Sequence, residues 1–444
     1  MSNTIITYLF MSFFLLGCQN NSVSEGENEV KRPNIILIMA DDLGYNDLGC
    51  YGSQRIKSPN IDELAAKGIQ FTDYHSNGVV CSPTRAALLT GKYQQRTGIE
   101  GVITAKNHRH TGLGKDHLTM AEYLKTHGYQ TGIFGKWHLG YDTTYSPLNH
   151  GFDIFRGFVS GNVDYHSHID QTGHYDWWFG KDTIIEKGYT TDLITKHSVS
   201  FIKNNQENPF FLYIAHEAPH SPYQGRNDTA ERTVDGEFVI QGAREDRAVA
   251  YQEMIWAMDE GIGKIISCLD NNNLLEETFI FFCSDNGANK VGSNDPLRGY
   301  KGQVWEGGHR VPAIAYWKNH TYSGKNNQPV MSMDIYPTIV DLMGDNKSLH
   351  LKSDGHSFLP LLRDKDAEMI DRRLFWRFGD NKKAARFKQW KYVKLNQQEY
   401  LFNLAIDLEE ENNLMDSLPE KADDLKTSLA DWEEKMSSYK IRTN

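Results

Sequence analysis

The sequence predicts an α/β fold with a central, mostly parallel sheet, followed by a smaller C-terminal subdomain with an antiparallel sheet and a terminal helix. Two observations carry this expectation. Short, uninterrupted apolar runs alternate with longer helical patterns over residues 32–362, and after residue 362 the pattern changes to short strand-like runs and one long amphipathic stretch. Runs that are apolar throughout, rather than alternating, mark strands buried on both faces, as parallel strands are.

Four runs define the expected core strands: 34–40, 131–134, 210–215 and 279–283. Each leads into polar groups: Asp41-Asp42, then Gly135-Lys136-Trp137-His138, then His216 and His220, then Asp285-Asn286. Ligands of open α/β sheets bind beyond the carboxyl ends of the strands, so four distant segments are expected to converge on one site. Helices are expected at 58–67, 82–90, 117–126, 189–203, 246–270 and 334–343. Ser58-Pro59 reads as a helix start, with Ser as cap and Pro at the first helical position. Beyond residue 362, strands are expected at 374–378, 391–394 and 400–404, and a final helix at 419–439. The expected division is a signal peptide at 1–17, a tether at 18–31, the α/β domain at 32–362 and the C-terminal subdomain at 363–444.

The N-terminus predicts export. Residues 5–16 are apolar but too few to span a bilayer. Leu15-Leu16-Gly17-Cys18 has the form of a bacterial lipobox, with Cys18 as the lipidated residue. No Lys or Arg precedes the apolar run, so a plain secretory signal is the alternative. The expected location is the periplasm or the outer membrane of a bacterium, with membrane contact only through the lipid anchor. The composition, 39% hydrophobic and 24% charged, is that of a globular protein. A net charge of -11 argues against nucleic acid as a partner and requires any anionic substrate to meet a local cluster of cations. Five cysteines, Cys18, Cys50, Cys81, Cys268 and Cys283, show neither disulfide-framework nor zinc spacing. Cys50, Cys268 and Cys283 lie in or beside apolar stretches and are expected to be buried small hydrophobes.

Cys81 stands before an expected helix, with Ser82 and Pro83 suited to its cap and first turn. The dipole and free N–H groups there would acidify a thiol. Asp41, Asp42, Asp285 and Asn286 offer hard oxygen donors, which suit Ca²⁺ or Mg²⁺ and not zinc. Adjacent carboxylates repel unless a cation sits between them. His220 carries a group that titrates near neutrality, the property a proton donor needs. Two segments, 164–168 (including His168) and 175–178 (including Trp177), mix aromatic and polar groups, which suits either sugar stacking or ordinary loop packing. His216 and Arg298 are further candidates for substrate contact; Arg298 would bind a carboxylate or sulfate, or else be simply exposed.

Cys81-Ser82-Pro83-Thr84-Arg85 followed by Ala86-Ala87-Leu88-Leu89-Thr90-Gly91 resembles the first signature of the formylglycine-dependent sulfatases, C-x-P-S-R then A-x-x-L-T-G, with Thr84 where Ser is more usual. The segment from Gly128 to Gly140 resembles the family's second signature without a gap. Asp41-Asp42-Leu43-Gly44 and Ser284-Asp285-Asn286-Gly287 resemble its metal-binding pieces, and the segment from Gly299 to Gly308 the piece that carries a second sulfate-binding lysine. The order and flavour of the segments are similar to those of glycosaminoglycan and algal-polysaccharide sulfatases. The resemblance implies an alkaline-phosphatase-like fold and hydrolysis of sulfate esters. It implies that a maturing enzyme oxidises Cys81 to formylglycine, whose hydrate attacks sulfur with one hydroxyl and expels sulfate with the other. It further implies Ca²⁺ as the usual metal, held by Asp41, Asp42, Asp285, Asn286 and an oxygen of the formylglycine made from Cys81, with Lys136 and Lys301 as sulfate-binding cations, Arg85 as a tie to the formylglycine and the metal carboxylates, His138 as the hydrogen-bond partner that helps the gem-diol collapse, and His220 as leaving-group acid. A sulfated polysaccharide or its oligosaccharides is the expected substrate. Relatives that hydrolyse phosphonate monoesters or phosphodiesters give the alternative. A non-catalytic glycan binder would have lost a catalytic residue, and none is lost.

Overall fold

The structure, a computed structural model, describes residues 32–236, 238–345 and 352–443; the expected signal, tether and Cys18 lie outside the described residues. Five parallel strands form the centre of a ten-stranded sheet, in the order Thr278–Ser284, Asn34–Ala40, Phe210–Ala215, Gln130–Lys136 and Ile154–Phe158. Ala313–Tyr316 adds antiparallel at one side, extended by Ile69–Phe71 and Gly324–Asn326, and two short strands close the other side. Ile35, Leu37 and Met39 enter one apolar core while Ile36, Ile38 and Ala40 enter the other. Each face of the sheet therefore has its own core, and an apolar residue is needed at every position of the strand.

The expected strands and helices form, with local differences. The helix expected from residue 117 starts at Met120, because Thr119 and Glu122 form a reciprocal capping box. Ser58 does occupy the cap position before Pro59, but its hydroxyl bonds the Gly49 amide and the Asp62 carboxylate instead of capping. The helix expected from Ser82 begins at Cys81, and Ser82 accepts a hydrogen bond from the Ile103 amide 3.1 Å away rather than capping.

Arg373–Phe378, Lys382–Phe387, Trp390–Leu395 and Gln398–Asn403 form a four-stranded antiparallel sheet. Its apolar residues pack with those of the helix Pro419–Ser437 into a third core. Lys382–Phe387 was not expected as a strand; its sequence, Lys-Lys-Ala-Ala-Arg-Phe, has little β-propensity. It is held in the interior of the sheet, and its Arg386 reaches the buried Asp73, in the bend after Ile69–Phe71, 2.7 Å away.

Candidate active site

Four segments do meet beyond the strand ends. Asp41 and Asp42 follow Asn34–Ala40 and are fully buried. Asp42 takes a left-handed backbone conformation (φ 63°), as does His138 (φ 55°), so both depart from the strand path just where the site begins. Gly135 precedes Lys136 at φ 105°, where a Cβ would lie 2.0 Å from the Ala215 carbonyl; only glycine lets these two strands close here.

Three cations meet three carboxylates. Lys136 Nζ lies 2.5 Å from Asp41 Oδ2, Arg85 Nη2 lies 2.9 Å from Asp285 Oδ2, and Lys301 Nζ lies 2.6 Å from Asp42 Oδ1. Lys301 Nζ is also 3.5 Å from Cys81 Sγ. Burial pushes the Asp42 carboxyl up, but the Lys301 ammonium and His220 outweigh it and hold it below the ordinary range. Asp285 is pushed up to about 7 by burial and by Asp41. Lys301 and His220 keep 20% and 13% of their side chains exposed while Asp41, Arg85 and Lys136 have none, so a substrate must enter past Lys301 and His220.

The donor set fits a hard cation. Asp41, Asp42, Cys81 and His220 present ligand-type atoms within 4.8 Å of one another. Asp41 Oδ1 and Asn286 Oδ1 are buried with no hydrogen-bond partner, while Asn286 Nδ2 donates to Asp42 Oδ1 at 2.7 Å. Unpartnered buried oxygens are costly, and a divalent cation would satisfy both. Asp285 Oδ1 accepts from the Asp42 amide at 3.1 Å and its other oxygen holds Arg85.

The thiol expected to be acidified is not. Cys81 stands in the first turn of its helix, yet burial and Asp41 push it up to about 12. Loss of solvent and a nearby carboxylate overcome the helix dipole. His138 donates from Nε2 to the Ile103 carbonyl at 2.8 Å and is held well below its ordinary value by burial and Lys136, which leaves Nδ1 as a bare lone pair without a partner. His220 also departs from the expected near-neutral titration: burial and the Lys301 charge bring it down to about 3. Thr84, the departure from the usual Ser, uses its hydroxyl locally on Gly78 and Val80.

The substrate-contact candidates fare differently. Trp177 is fully buried in the core and its indole N–H donates to Glu186; His168 stacks on it, ring centroids 4.7 Å apart. Both pack a loop and offer no face to a sugar. His216 is fully buried, brought down to about 3 by burial, with both ring nitrogens unpartnered, and is not among the groups that converge with Cys81. Arg298 lies 4.0 Å over the Trp305 ring and donates to the Glu410 carbonyl, so it ties the loop to the C-terminal part. Cys268 and Cys283 are buried free thiols as expected, whereas Cys50 is partly exposed.

Asn162, unforeseen, sits beside His220, its amide nitrogen 2.8 Å from the Ser221 carbonyl. It follows the strand Ile154–Phe158, which Arg156 and Gly157 kept from reading as an apolar run. A second titratable cluster, His75, Glu306 and His309, is equally buried. Lys391, Arg310 and Arg386 already neutralise its single acid, Glu306, so it is a buried ion network rather than a cation site.

A profile of the family described as Sulfatase matches residues 33–345. Arylsulfatase of Hemicentrotus pulcherrimus is 33% identical over 386 residues, covering 81% of this chain and 67% of that protein. N-acetylgalactosamine-6-sulfatase of Homo sapiens is 32% identical over 384 residues, covering 81% and 71%. The crystal structure of Ps i-CgsB superposes with a TM-score of 0.81 at 32% identity, covering 90% of this chain and 92% of that one; the same protein was solved in complex with k-i-k-neocarrahexaose. The architecture is the alkaline-phosphatase-like one. With its two signatures folded onto one buried cluster of lysines, carboxylates and Cys81, the chain belongs to the sulfatase family and is a sulfuric ester hydrolase.

Proposed function

We propose that the chain removes sulfate from a sulfated polysaccharide or its oligosaccharides, using formylglycine made from Cys81 and a calcium ion held by Asp41, Asp42, Asp285 and Asn286. The observation that carries this reading is Lys301 standing between Asp42 and Cys81, at 2.6 and 3.5 Å. Unpartnered oxygens on Asp41 and Asn286 support the cation, for which Mg²⁺ is the alternative. Support for a glycan substrate comes from the likeness to N-acetylgalactosamine-6-sulfatase and to a protein crystallised with a neocarrahexaose. When bound, the cation supplies Lewis-acid stabilisation and the hydrated aldehyde supplies a hydroxyl aimed at sulfur.

The chain's own residues do the remainder. Lys136 and Lys301 offset the charge of the sulfate as point cations. Arg85 fixes Asp285 and keeps the carboxylates from moving apart. His138, neutral and protonated on Nε2, keeps Nδ1 free to accept a hydrogen bond from the gem-diol and to take a proton as the diol collapses. His220 donates from Nδ1 to the Ser221 carbonyl at 2.6 Å, which leaves Nε2 for the leaving oxygen. An anionic ester beside it opposes the Lys301 field and so favours the protonated ring. Export through residues 1–17, anchoring at Cys18, and maturation by a formylglycine-generating or sulfatase-maturating enzyme belong to the same proposal.

The test is sulfate release, measured by ion chromatography, from glycosaminoglycan, ulvan, carrageenan and fucoidan oligosaccharides, with an aryl sulfate and an aryl phosphonate alongside. Release from at least one glycan class is expected. Turnover of the aryl sulfate alone would defeat the glycan reading, and phosphonate cleavage without sulfate release would favour the phosphonate hydrolase alternative. For the metal, Asp41→Ala is expected to lower bound calcium and activity together, each by at least about tenfold, since a hard cation depends on its charged oxygen ligands. Calcium content that stays at the wild-type level by mass spectrometry would reassign the site.

A further inference from the structure

The loop after Ile154–Phe158 holds His220 through a chain of hydrogen bonds that starts at a buried arginine. Arg232 is 1% exposed, and nearby carboxylates, Glu217 foremost, then Asp164, Asp170 and Glu231, partly offset its charge. Its guanidinium spends its donors on oxygens: Nη1 on Asn162 Oδ1 at 3.0 Å and the Ile169 carbonyl at 3.2 Å, Nη2 on the Ile240 carbonyl at 3.4 Å. Burial still outweighs those charges and lowers the proton affinity of the guanidinium, which directs attention to what it holds.

An arginine only donates, so its contact settles which end of the Asn162 amide is oxygen. The amide nitrogen then faces the Ser221 carbonyl at 2.8 Å. That same carbonyl accepts the Nδ1 proton of His220 at 2.6 Å. With Nδ1 occupied, Nε2 points into the cluster, 3.7 Å from Asp42 Oδ2. Tyr165, three residues after Asn162, donates its hydroxyl to the His220 carbonyl at 3.0 Å and so braces the same turn.

We propose that Asn162, oriented by Arg232, is a positioning residue that fixes the tautomer and ring angle of His220 through the shared Ser221 carbonyl. The proposal rests on the sulfatase reading above, with His220 as leaving-group acid. It concerns a step in which a hydroxyl of the hydrated aldehyde bonds to sulfur, the bond from sulfur to the sugar oxygen breaks, and that oxygen takes the Nε2 proton of the doubly protonated His220 ring, which is left with its Nδ1 proton on the Ser221 carbonyl. A sugar alcohol leaves poorly without that proton, whereas a phenol with an electron-withdrawing ring leaves without help.

The experiment compares wild type, Asn162→Ala, Asn162→Asp and His220→Ala on a sulfated oligosaccharide and on an activated aryl sulfate. Asn162→Asp keeps the volume and the Arg232 contact and removes the donor to Ser221. Both Asn162 variants are expected to lose about 10- to 100-fold in kcat on the oligosaccharide, the range typical when the outer partner of a functional histidine is removed. Their KM should be unchanged, and their loss on the aryl sulfate should stay under about threefold; that rate also reports that the protein is folded. Differential loss in His220→Ala with none in either Asn162 variant overturns the positioning role alone. Equal loss on both substrates in His220→Ala overturns the acid assignment, and the positioning role with it.

Discussion

Cys81→Ala is expected to abolish sulfate release, by at least about 10⁴-fold, without unfolding the protein. The thiol is buried and pushed up to about 12, so essentially no thiolate exists at neutral pH. A neutral thiol is a poor nucleophile for sulfur. On the proposed mechanism, activity follows the fraction of chains in which this side chain has been oxidised. In wild-type preparations, the proportion of formylglycine in the tryptic peptide that carries residue 81, read by mass spectrometry, should scale linearly with specific activity. Full activity in a preparation whose residue 81 is entirely thiol would end the formylglycine mechanism. The variant removes one sulfur from a tightly packed helix start, a cavity cost of about 1 kcal/mol, so thermal unfolding should shift only slightly.

Lys391→Ala is expected to be the most destabilising change outside the active site, costing about 3 to 5 kcal/mol. The ammonium is fully buried, 2.8 Å from Glu306 and 2.9 Å from Glu410. Glu306 is held well below its ordinary range; burial works against this, and Lys391 leads the charges that overcome it. Glu410 is pushed up to about 7 by burial even with the lysine present. Without Lys391, Glu410 rises further and Glu306 loses the largest charge that holds it down. A carboxyl whose folded value lies above its unfolded value binds more protons in the folded state, so stability falls as pH rises through that window. The loss should thus be larger at pH 8 than at pH 6 in denaturant titrations. A loss under about 1 kcal/mol at both would mean that the network does not hold the C-terminal sheet in place.

The local sequence was enough to locate the strand ends and the groups they deliver. An apolar run such as that of residues 34–40 reports its burial directly, because transfer from water depends on each residue's own surface. The signature segments place Cys81 with Arg85, and Lys136 with His138, within a few residues, where helix and strand geometry leaves little freedom. Asp41, Asp42, Asp285, Asn286 and Lys301 followed from the same two facts.

Other features depend on partners remote in sequence, and only the tertiary structure decided them. The unpromising hexapeptide Lys382–Phe387 is a strand because it pairs on both sides with Arg373–Phe378 and Trp390–Leu395, and its Arg386 is buried against Asp73, 313 residues earlier. Trp177 and His168 have the composition of a sugar platform but are covered by the loop they pack. The proton affinity of Cys81 was set by desolvation and by Asp41 rather than by its helix, and Asn162 acquires a partner in His220 only once the turn through Ser221 folds beside it. The physical reason is common to all four: hydrophobic burial is read residue by residue, whereas the state of a charged or polar group is fixed by the water it loses and the partners it gains, and both are three-dimensional quantities.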